Sequence, residues 1–306
     1  MDLGMIGLGR MGGNMARRLI RARHHVVGYA PRPESVRAVV ADGAVGADSL
    51  ASLAAQLPPP RHMWMMIPAG EAVDEALAGL RPHLSPGDLL VDGGNSNYRD
   101  SQRRGAELAR AGVEWVDAGV SGGIWGLENG YGLMVGGTTE AVERLHPILE
   151  ALAPAPDRGW AHLGPVGAGH FAKMVHNGIE YGMMQALGEG FALLAAKEEF
   201  GYDLAHVAEA WRHGTVIRSW LIDLAAAALA DDPALEGLAA WVEDSGEGRW
   251  TAHEAIDLGV PAPVITQALF ARFRSRLPRN FADRLIAALR AQFGGHPVQR
   301  EPHHQA

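Results

Sequence analysis

At roughly 150 residues per domain, a chain of 306 residues is long enough for two domains. Hydrophobic residues make up 47 % and charged residues 20 %, a balance that supplies a buried core and excludes disorder over most of the length. A formal charge of −8 excludes the basic field that non-specific nucleic-acid binding needs, and the absence of cysteine excludes disulfides, zinc–thiolate sites and a thiol nucleophile. No uninterrupted apolar run approaches the ~20 residues of a bilayer span. The longest candidate, around 220–230, is short, Ala-rich and interrupted by Asp223. The first residues are apolar and Gly-rich, without the basic region of a secretory signal. The expectation is a soluble, cytoplasmic, two-domain protein.

Asp2-Leu3-Gly4-Met5-Ile6 reads as a short buried strand running into Gly7-Leu8-Gly9-Arg10-Met11-Gly12, which matches G-x-G-x-x-G at the start of a helix over 13–21. A second strand over 25–29 follows at βαβ distance. Glycine is needed at each place for a physical reason. Gly7 makes the tight turn, Gly9 lets backbone approach a pyrophosphate, and Gly12 allows helix and strand to pack closely. Free N–H groups and the helix dipole then hold the phosphates, so the turn, with Leu8 and Met11, is the expected cofactor-binding segment for NAD or NADP, joined by Asn95 from a later loop. The other reading is a Gly-rich turn in a non-binding α/β domain. An acid at the end of the second strand would bind the ribose 2′-OH of NAD, whereas an arginine favours the 2′-phosphate of NADP. The sequence there is Gly28-Tyr29-Ala30-Pro31-Arg32, with no acid before Glu34. Arg32 either pairs with a 2′-phosphate, which leans the expectation toward NADP, or is a solvated loop arginine.

Strand-like runs follow at 62–67, 89–92, 113–117 and 131–135, separated by helical stretches such as 70–81 and 98–111. This alternation predicts a Rossmann-like, doubly wound and mostly parallel sheet. Ala153-Pro154-Ala155-Pro156-Asp157 marks a turn, and 160–164 reads as one last strand. After Gly169 only Ala/Leu-rich helical segments remain, broken at Gly201, Pro233, Gly246-Glu247-Gly248, Pro261 and Pro278. The expected division is a nucleotide-binding domain over 1–165 and an all-helical substrate and dimerisation domain over 166–306, with a tail at 290–306.

One long helix is predicted over 168–200. Along it Lys173, His176, Asn177, Glu180 and Tyr181 fall at offsets 0, +3, +4, +7 and +8, which at ~100° per residue is a single stripe. Met174, Val175, Ile179, Met183 and Leu187 take other directions, suited to packing. Such a stripe beside a nucleotide domain reads as a cleft wall, the bland alternative being an ordinary solvated face. Two Gly-rich loops, Asp92-Gly93-Gly94-Asn95-Ser96 and Val120-Ser121-Gly122-Gly123-Ile124-Trp125-Gly126, each follow a strand. There they would emerge at carboxyl ends, where doubly wound sheets bind ligands. Their backbone N–H groups suit an anion, while Asn95 and Ser121 add partners for hydroxyls or a carboxylate. Taken alone, each loop could equally be a tight structural turn.

These stretches, with Lys173-Met174-Val175-His176-Asn177-Gly178-Ile179-Glu180-Tyr181, Asp244-Ser245-Gly246-Glu247-Gly248-Arg249-Trp250-Thr251, Phe270-Ala271-Arg272 and Arg290-Ala291-Gln292-Phe293-Gly294-Gly295-His296, carry a resemblance over nearly the whole chain. The chain resembles the short form of the decarboxylating 6-phosphogluconate dehydrogenases, within the β-hydroxyacid dehydrogenase superfamily. The resemblance implies oxidation and decarboxylation of 6-phosphogluconate to ribulose 5-phosphate and CO2 with reduction of NAD(P), in the pentose phosphate pathway and gluconate utilisation. Lys173 would be the base that takes the C3 hydroxyl proton and then, as ammonium, assists decarboxylation of the β-keto acid. Glu180 would protonate C1 of the resulting enediol. No metal is implied, because lysine supplies the electrophile. The lysine pKa would have to fall from ~10.4 toward neutrality, at ~1.4 kcal/mol per unit.

By the same carry-over Asn95, Ser121, Gly122, Gly123, His176 and Asn177 would hold the carboxylate and hydroxyls, and Tyr181 and Arg272 would meet the 6-phosphate. Arg290 and His296 match a tail arginine and histidine that close the partner subunit's site in longer members, which implies a homodimer or a dimer-based tetramer. A guanidinium fork suits that phosphate. Two departures stand out. The lysine-containing insertion that long members carry before Trp250 is abbreviated to Ser245-Gly246-Glu247-Gly248, so two phosphate ligands lack a match, with Arg249 as a stand-in or a structural residue. Short members commonly have an acid where this chain has Ala30. The competing functions are a related β-hydroxyacid dehydrogenase or imine reductase acting on a non-phosphorylated substrate, and a non-catalytic NADP-binding sensor. The first has no use for Arg290 and His296, and the second none for Lys173 and Glu180.

Overall fold

The computed structural model describes residues 1–294 and 297–299. In chain order the elements begin β1 (Asp2–Ile6), α1 (Arg10–Arg21), β2 (His25–Tyr29), α2 (Pro33–Ala41), β3 (Val45–Gly46), α3 (Leu50–Ala55), β4 (His62–Met65) and α4 (Glu71–Leu80). They continue with β5 (Leu89–Asp92), α5 (Tyr98–Ala109), β6 (Glu114–Ser121), α6 (Gly126–Asn129), β7 (Gly132–Gly136), α7 (Thr139–Leu152) and β8 (Trp160–Gly164). Helices complete the described chain: α8 (Ala168–Ala196), α9 (Leu204–Trp211), α10 (Trp220–Asp231), α11 (Glu247–Asp257), α12 (Pro263–Ser275) and α13 (Phe281–Gly294).

The eight strands form one sheet in the order β3-β2-β1-β4-β5-β6-β7-β8. Because the order reverses between β1 and β4, the crevice at their carboxyl ends is the switch point where such sheets take ligands. Central strands covered on both faces are apolar through their middles: Leu3, Met5, Met63, Trp64, Met65, Leu89, Leu90 and Val91 are all completely buried. One pair departs from a parallel sheet, since β6 and β7 run antiparallel with Ser121 opposite Gly132. The segment 122–131 turns back through the short α6 without a crossover long enough to return a parallel strand. Three of the helices between these strands begin where a side chain caps them: Ser49 accepts from Ser52 N–H before α3, Asn97 from Arg99 N–H before α5, and Thr138 from Ala141 N–H before α7.

The chain forms two compact units, Met1–Asn177 and Gly178–Ala306, and the boundary falls inside α8. The first holds the whole sheet and the first turns of α8. The second has helices and connecting loops but no strand among its described residues, and the helix expected over 168–200 stops at Ala196, followed by a 3-10 turn over Glu198–Phe200. Of the α8 residues assigned to packing, Met174 is buried, whereas Ile179 and Met183 stand 51 % and 41 % exposed.

Candidate active site

In the first unit, β1 ends at Ile6 and the chain turns at Gly7, whose φ of +92° only glycine adopts easily. A Cβ on Gly7 would lie 2.4 Å from the Met66 carbonyl oxygen, and one on Gly12 would lie 2.0 Å from the Gly7 carbonyl oxygen. Helix α1 therefore starts at Arg10, three residues before the sequence reading put it, and Gly12 lies in its first turn. Gly9 caps α1 without a side-chain acceptor, and a Cβ placed on it would meet nothing within 4 Å. That open space belongs to a cavity of about 310 Å³, walled by Gly9–Gly12, by residues 66–69 after β4, by Gly93, Gly94 and Asn95 after β5, and by Val120 on β6. Open glycine backbone at a helix N-terminus fits the diphosphate of a dinucleotide. Leu8 is buried, so its side chain serves the core. Arg32 is exposed at the N-cap of α2, beyond a β2 that ends without an acid.

Asp92 and Asp117 face each other across β5 and β6 and are both completely buried. Asp92 shapes the loop at the cavity wall: Oδ1 accepts from Gly94 N–H at 3.0 Å and Oδ2 from the Ser96 hydroxyl at 2.7 Å. Asp117 caps α8, accepting from Gly167 N–H at 2.6 Å and His170 N–H at 2.8 Å. Burial pushes the Asp117 carboxyl above its ordinary pKa, against the pull of His170 and the two N–H groups. His170 is held in turn, with Nδ1 2.7 Å from the Ser101 hydroxyl.

One turn along α8, Lys173 is only 6 % exposed, and its Nζ donates to Asn177 Oδ1 at 2.8 Å. His176 Nδ1 lies 3.2 Å from the same oxygen, which accepts from it when that nitrogen carries the proton. The lysine stem runs over Gly119, where a Cβ would come within 2.3 Å of Lys173 Cβ. Packing of this closeness fixes where the amine can go. Ser121 ends β6, and Gly122 and Gly123 follow with φ of +129° and +53°.

In the second unit, Glu180 and Tyr181 continue α8. Tyr181 is buried, and its hydroxyl accepts from Ser245 N–H at 3.4 Å. The Arg272 guanidinium stacks 3.6 Å from the centre of the Tyr181 ring and is itself 8 % exposed. It donates to the Glu243 carbonyl at 3.3 Å and reaches Met184 Sδ at 3.8 Å, and no carboxylate pairs with it among the described residues. A buried cation so weakly partnered is suited to an anionic ligand. Arg249, by contrast, is committed to structure: Nε donates to Asp244 Oδ2 at 2.5 Å, and Arg276 Nη2 donates to Asp244 Oδ1 at 2.5 Å. These two guanidinium groups, Arg249 first, hold the Asp244 carboxyl down at about 2. Arg290 is exposed on α13, and His296 lies outside the described residues.

The structure thus gathers Gly9, Met11, Gly12 and Asn95 around one cavity and ties Lys173, Asn177 and His176 into one hydrogen-bonded group. Sequence reasoning passed over Asp92 and Asp117 as positioning groups. Asp92 closes the otherwise apolar β5 and reads as an ordinary strand terminus, while Asp117 lies in the middle of β6, three residues after Glu114, where nothing local marks it.

Residues 2–164 match the family model described as the NAD binding domain of 6-phosphogluconate dehydrogenase, and residues 169–291 match its C-terminal domain. The chain is 45 % identical over 302 residues to the NAD(+)-dependent, decarboxylating 6-phosphogluconate dehydrogenase of Haloferax volcanii, covering 98 % of this chain and 99 % of that one. It is 38 % identical over 289 residues to the NADP(+)-dependent, decarboxylating enzyme of Bacillus subtilis, covering 90 % of this chain and 61 % of the longer relative. Among solved structures, the Plasmodium falciparum 6-phosphogluconate dehydrogenase superposes with a TM-score of 0.82 at 30 % identity, over all of this chain and 67 % of that one.

Proposed function

Because the chain belongs to the 6-phosphogluconate dehydrogenase family, we propose that it converts 6-phosphogluconate to ribulose 5-phosphate and CO2 with reduction of NAD(P), using Lys173 and Glu180. The observation that carries this reading is Lys173 itself, a buried amine seated against β6 with Asn177 as acceptor, on a helix capped by Asp117. NAD(P), when bound, supplies the hydride acceptor. Lys173, as a neutral amine, takes the C3 hydroxyl proton while hydride leaves C3. The product is a β-keto acid, and the Lys173 ammonium returns its proton to the carbonyl oxygen as the C1–C2 bond breaks and CO2 departs. Glu180 then delivers a proton to C1 of the enediol. Asn177 Oδ1 keeps Nζ in place through both proton transfers.

Asn95, Ser121, Gly122, Gly123, His176 and Asn177 hold the carboxylate and hydroxyls, and Tyr181 with Arg272 takes the 6-phosphate. The weak partners of Arg272 support that role, whereas Arg249 is spent on Asp244 and does not replace the abbreviated loop. For the cofactor, Ala30 and Arg32 favour NADP over NAD. For assembly, the half-exposed Ile179 and Met183, with Val264 at 68 % and Phe270 at 53 %, leave an apolar surface that a second copy covers, giving a homodimer whose tails, from Arg290 onward, complete each other's sites. Residues 166–306 serve as the substrate and dimerisation domain.

The test is a parallel assay of NADP and NAD reduction with 6-phosphogluconate and with 3-hydroxyisobutyrate, tracking released CO2. Stoichiometric CO2 from the phosphorylated substrate alone is expected. Turnover of the non-phosphorylated acid without CO2 would replace this reading with that of a β-hydroxyacid dehydrogenase.

A further inference from the structure

Arg104 lies in the middle of α5 and is 1 % exposed, an uncommon place for a guanidinium and one that no step of the reaction uses. Between them its three nitrogens reach Asp74, Gly70 and Asp92. Nε and Nη2 donate to the two oxygens of Asp74 at 2.9 and 3.0 Å. Nη2 also donates to the Gly70 carbonyl at 2.9 Å, where the loop from β4 enters α4. Nη1 stands 3.6 Å from Asp92 Oδ2, within ion-pair range, and makes no hydrogen bond. Asp92 in turn holds the Gly94 N–H and the Ser96 hydroxyl.

One side chain therefore reaches both loops that wall the cavity. Residues 66–69 lead directly to Gly70, and Gly93, Gly94 and Asn95 hang from Asp92. The two loops also abut, since a Cβ on Gly94 would lie 2.8 Å from the Ile67 carbonyl oxygen. Asp74, drawn down to about 2 chiefly by its hydrogen bonds to Arg104, keeps the guanidinium plane fixed. We propose that Arg104 is a positioning residue for nucleotide binding: it sets the spacing between the 66–70 loop and the 92–96 loop, and so preforms the cavity wall that carries Asn95. This rests on the reading of the cavity as the NAD(P) site. Arg rather than Lys is needed, because an ammonium is a single point that cannot span Gly70, Asp74 and Asp92 together.

The experiment titrates NADH and NADPH fluorescence against wild type, Arg104→Lys, Asp92→Asn, the double variant Arg104→Met/Asp92→Asn and Ile148→Val, and records each melting temperature. Ile148 is completely buried on α7, is not part of the cavity wall, and serves as the control for lost stability alone. Arg104→Lys is expected to weaken dinucleotide binding about tenfold, the scale of a misplaced positioning group, while Ile148→Val stays within about twofold of wild type. The double variant removes both buried charges together, so it avoids an orphaned Asp92, and read against Asp92→Asn alone it decides the question if the lysine variant does not fold. It is expected to lose affinity beyond that of Asp92→Asn. Wild-type affinity in either folded Arg104 variant, a double variant that binds no more weakly than Asp92→Asn, or losses that simply follow melting temperature in all the variants, overturns the proposal. Failure of wild type itself to bind either dinucleotide would instead overturn the assignment of the cavity.

Discussion

Residue by residue, chemistry in this chain depends on how few partners a charged group is allowed. Arg272 is buried with a carbonyl, a thioether and an aromatic face, whereas Arg249, a short distance along the sequence, has its charge answered by Asp244. The same contrast applies to Arg32, which caps α2 with its backbone and leaves its side chain exposed at the end of β2. A 2′-phosphate there would give it a charge-assisted partner that a 2′-hydroxyl cannot. Arg32→Ala is accordingly expected to raise the KM for NADP several-fold, about 1 kcal/mol or more, with little change for NAD. Ala30→Asp is expected to shift preference toward NAD. Initial rates over a range of each nucleotide check both, and equal effects on the two nucleotides would show that neither position reads the 2′ group.

At the scale of elements, buried acids fasten loops and helix ends. Asp244 joins Arg249 on α11 to Arg276 at the end of α12, and its side chain is 2 % exposed. A carboxyl whose pKa is depressed on folding stabilises the folded state above its unfolded pKa near 4 and loses that contribution as pH falls toward 2. The stabilisation is about 2 kcal/mol at neutral pH. Urea unfolding of wild type and Asp244→Asn should therefore show a gap at pH 7 that closes between about pH 5 and pH 2; a gap independent of pH would contradict the assignment.

How much of this was legible follows from what periodicity can report. β1, β2, β5 and β8 have the bounds expected from apolar runs between turn residues. The segment 33–55, with α2, α3 and the two-residue β3, escaped notice because β3 is too short for any repeat and both its residues are exposed. The stripe on α8 was readable because helical spacing aligns Lys173, His176 and Asn177. The groups that fix it, Asp117 beneath its N-terminus and Gly119 beneath the lysine, come from a strand more than fifty residues earlier in the numbering and carry no local pattern.

On the scale of the whole molecule, the chain spans 99 % of its Haloferax volcanii relative but 61 % of the Bacillus subtilis NADP(+)-dependent one, so it represents the shorter build of the family. In the helical unit apolar side chains such as Leu193 stand open, 75 % exposed. If the tail from Arg290 onward closes the partner's site, truncation after Leu289 raises the KM for 6-phosphogluconate ten- to a hundredfold, the ~1.5–3 kcal/mol of a lost charge-assisted contact, with nucleotide affinity little changed. Mixing Arg290→Ala subunits with Lys173→Met subunits should restore part of the activity, because one site of the mixed dimer joins an intact lysine to an intact partner arginine. No recovery despite proven subunit exchange would mean that the tail serves its own subunit or no site.

If Lys173 performs the proton transfers of an oxidative decarboxylation, CO2 release from 6-phosphogluconate labelled at C1 depends on it directly. Wild type and Lys173→Met are compared at saturating NADP, with dinucleotide binding measured in the same samples. Methionine fills nearly the same space over Gly119 without a titratable amine. Label is expected in the CO2 from wild type, with a loss of at least about a thousandfold in the variant and dinucleotide binding unchanged. Near-normal release of labelled CO2 by Lys173→Met would contradict this role for the lysine.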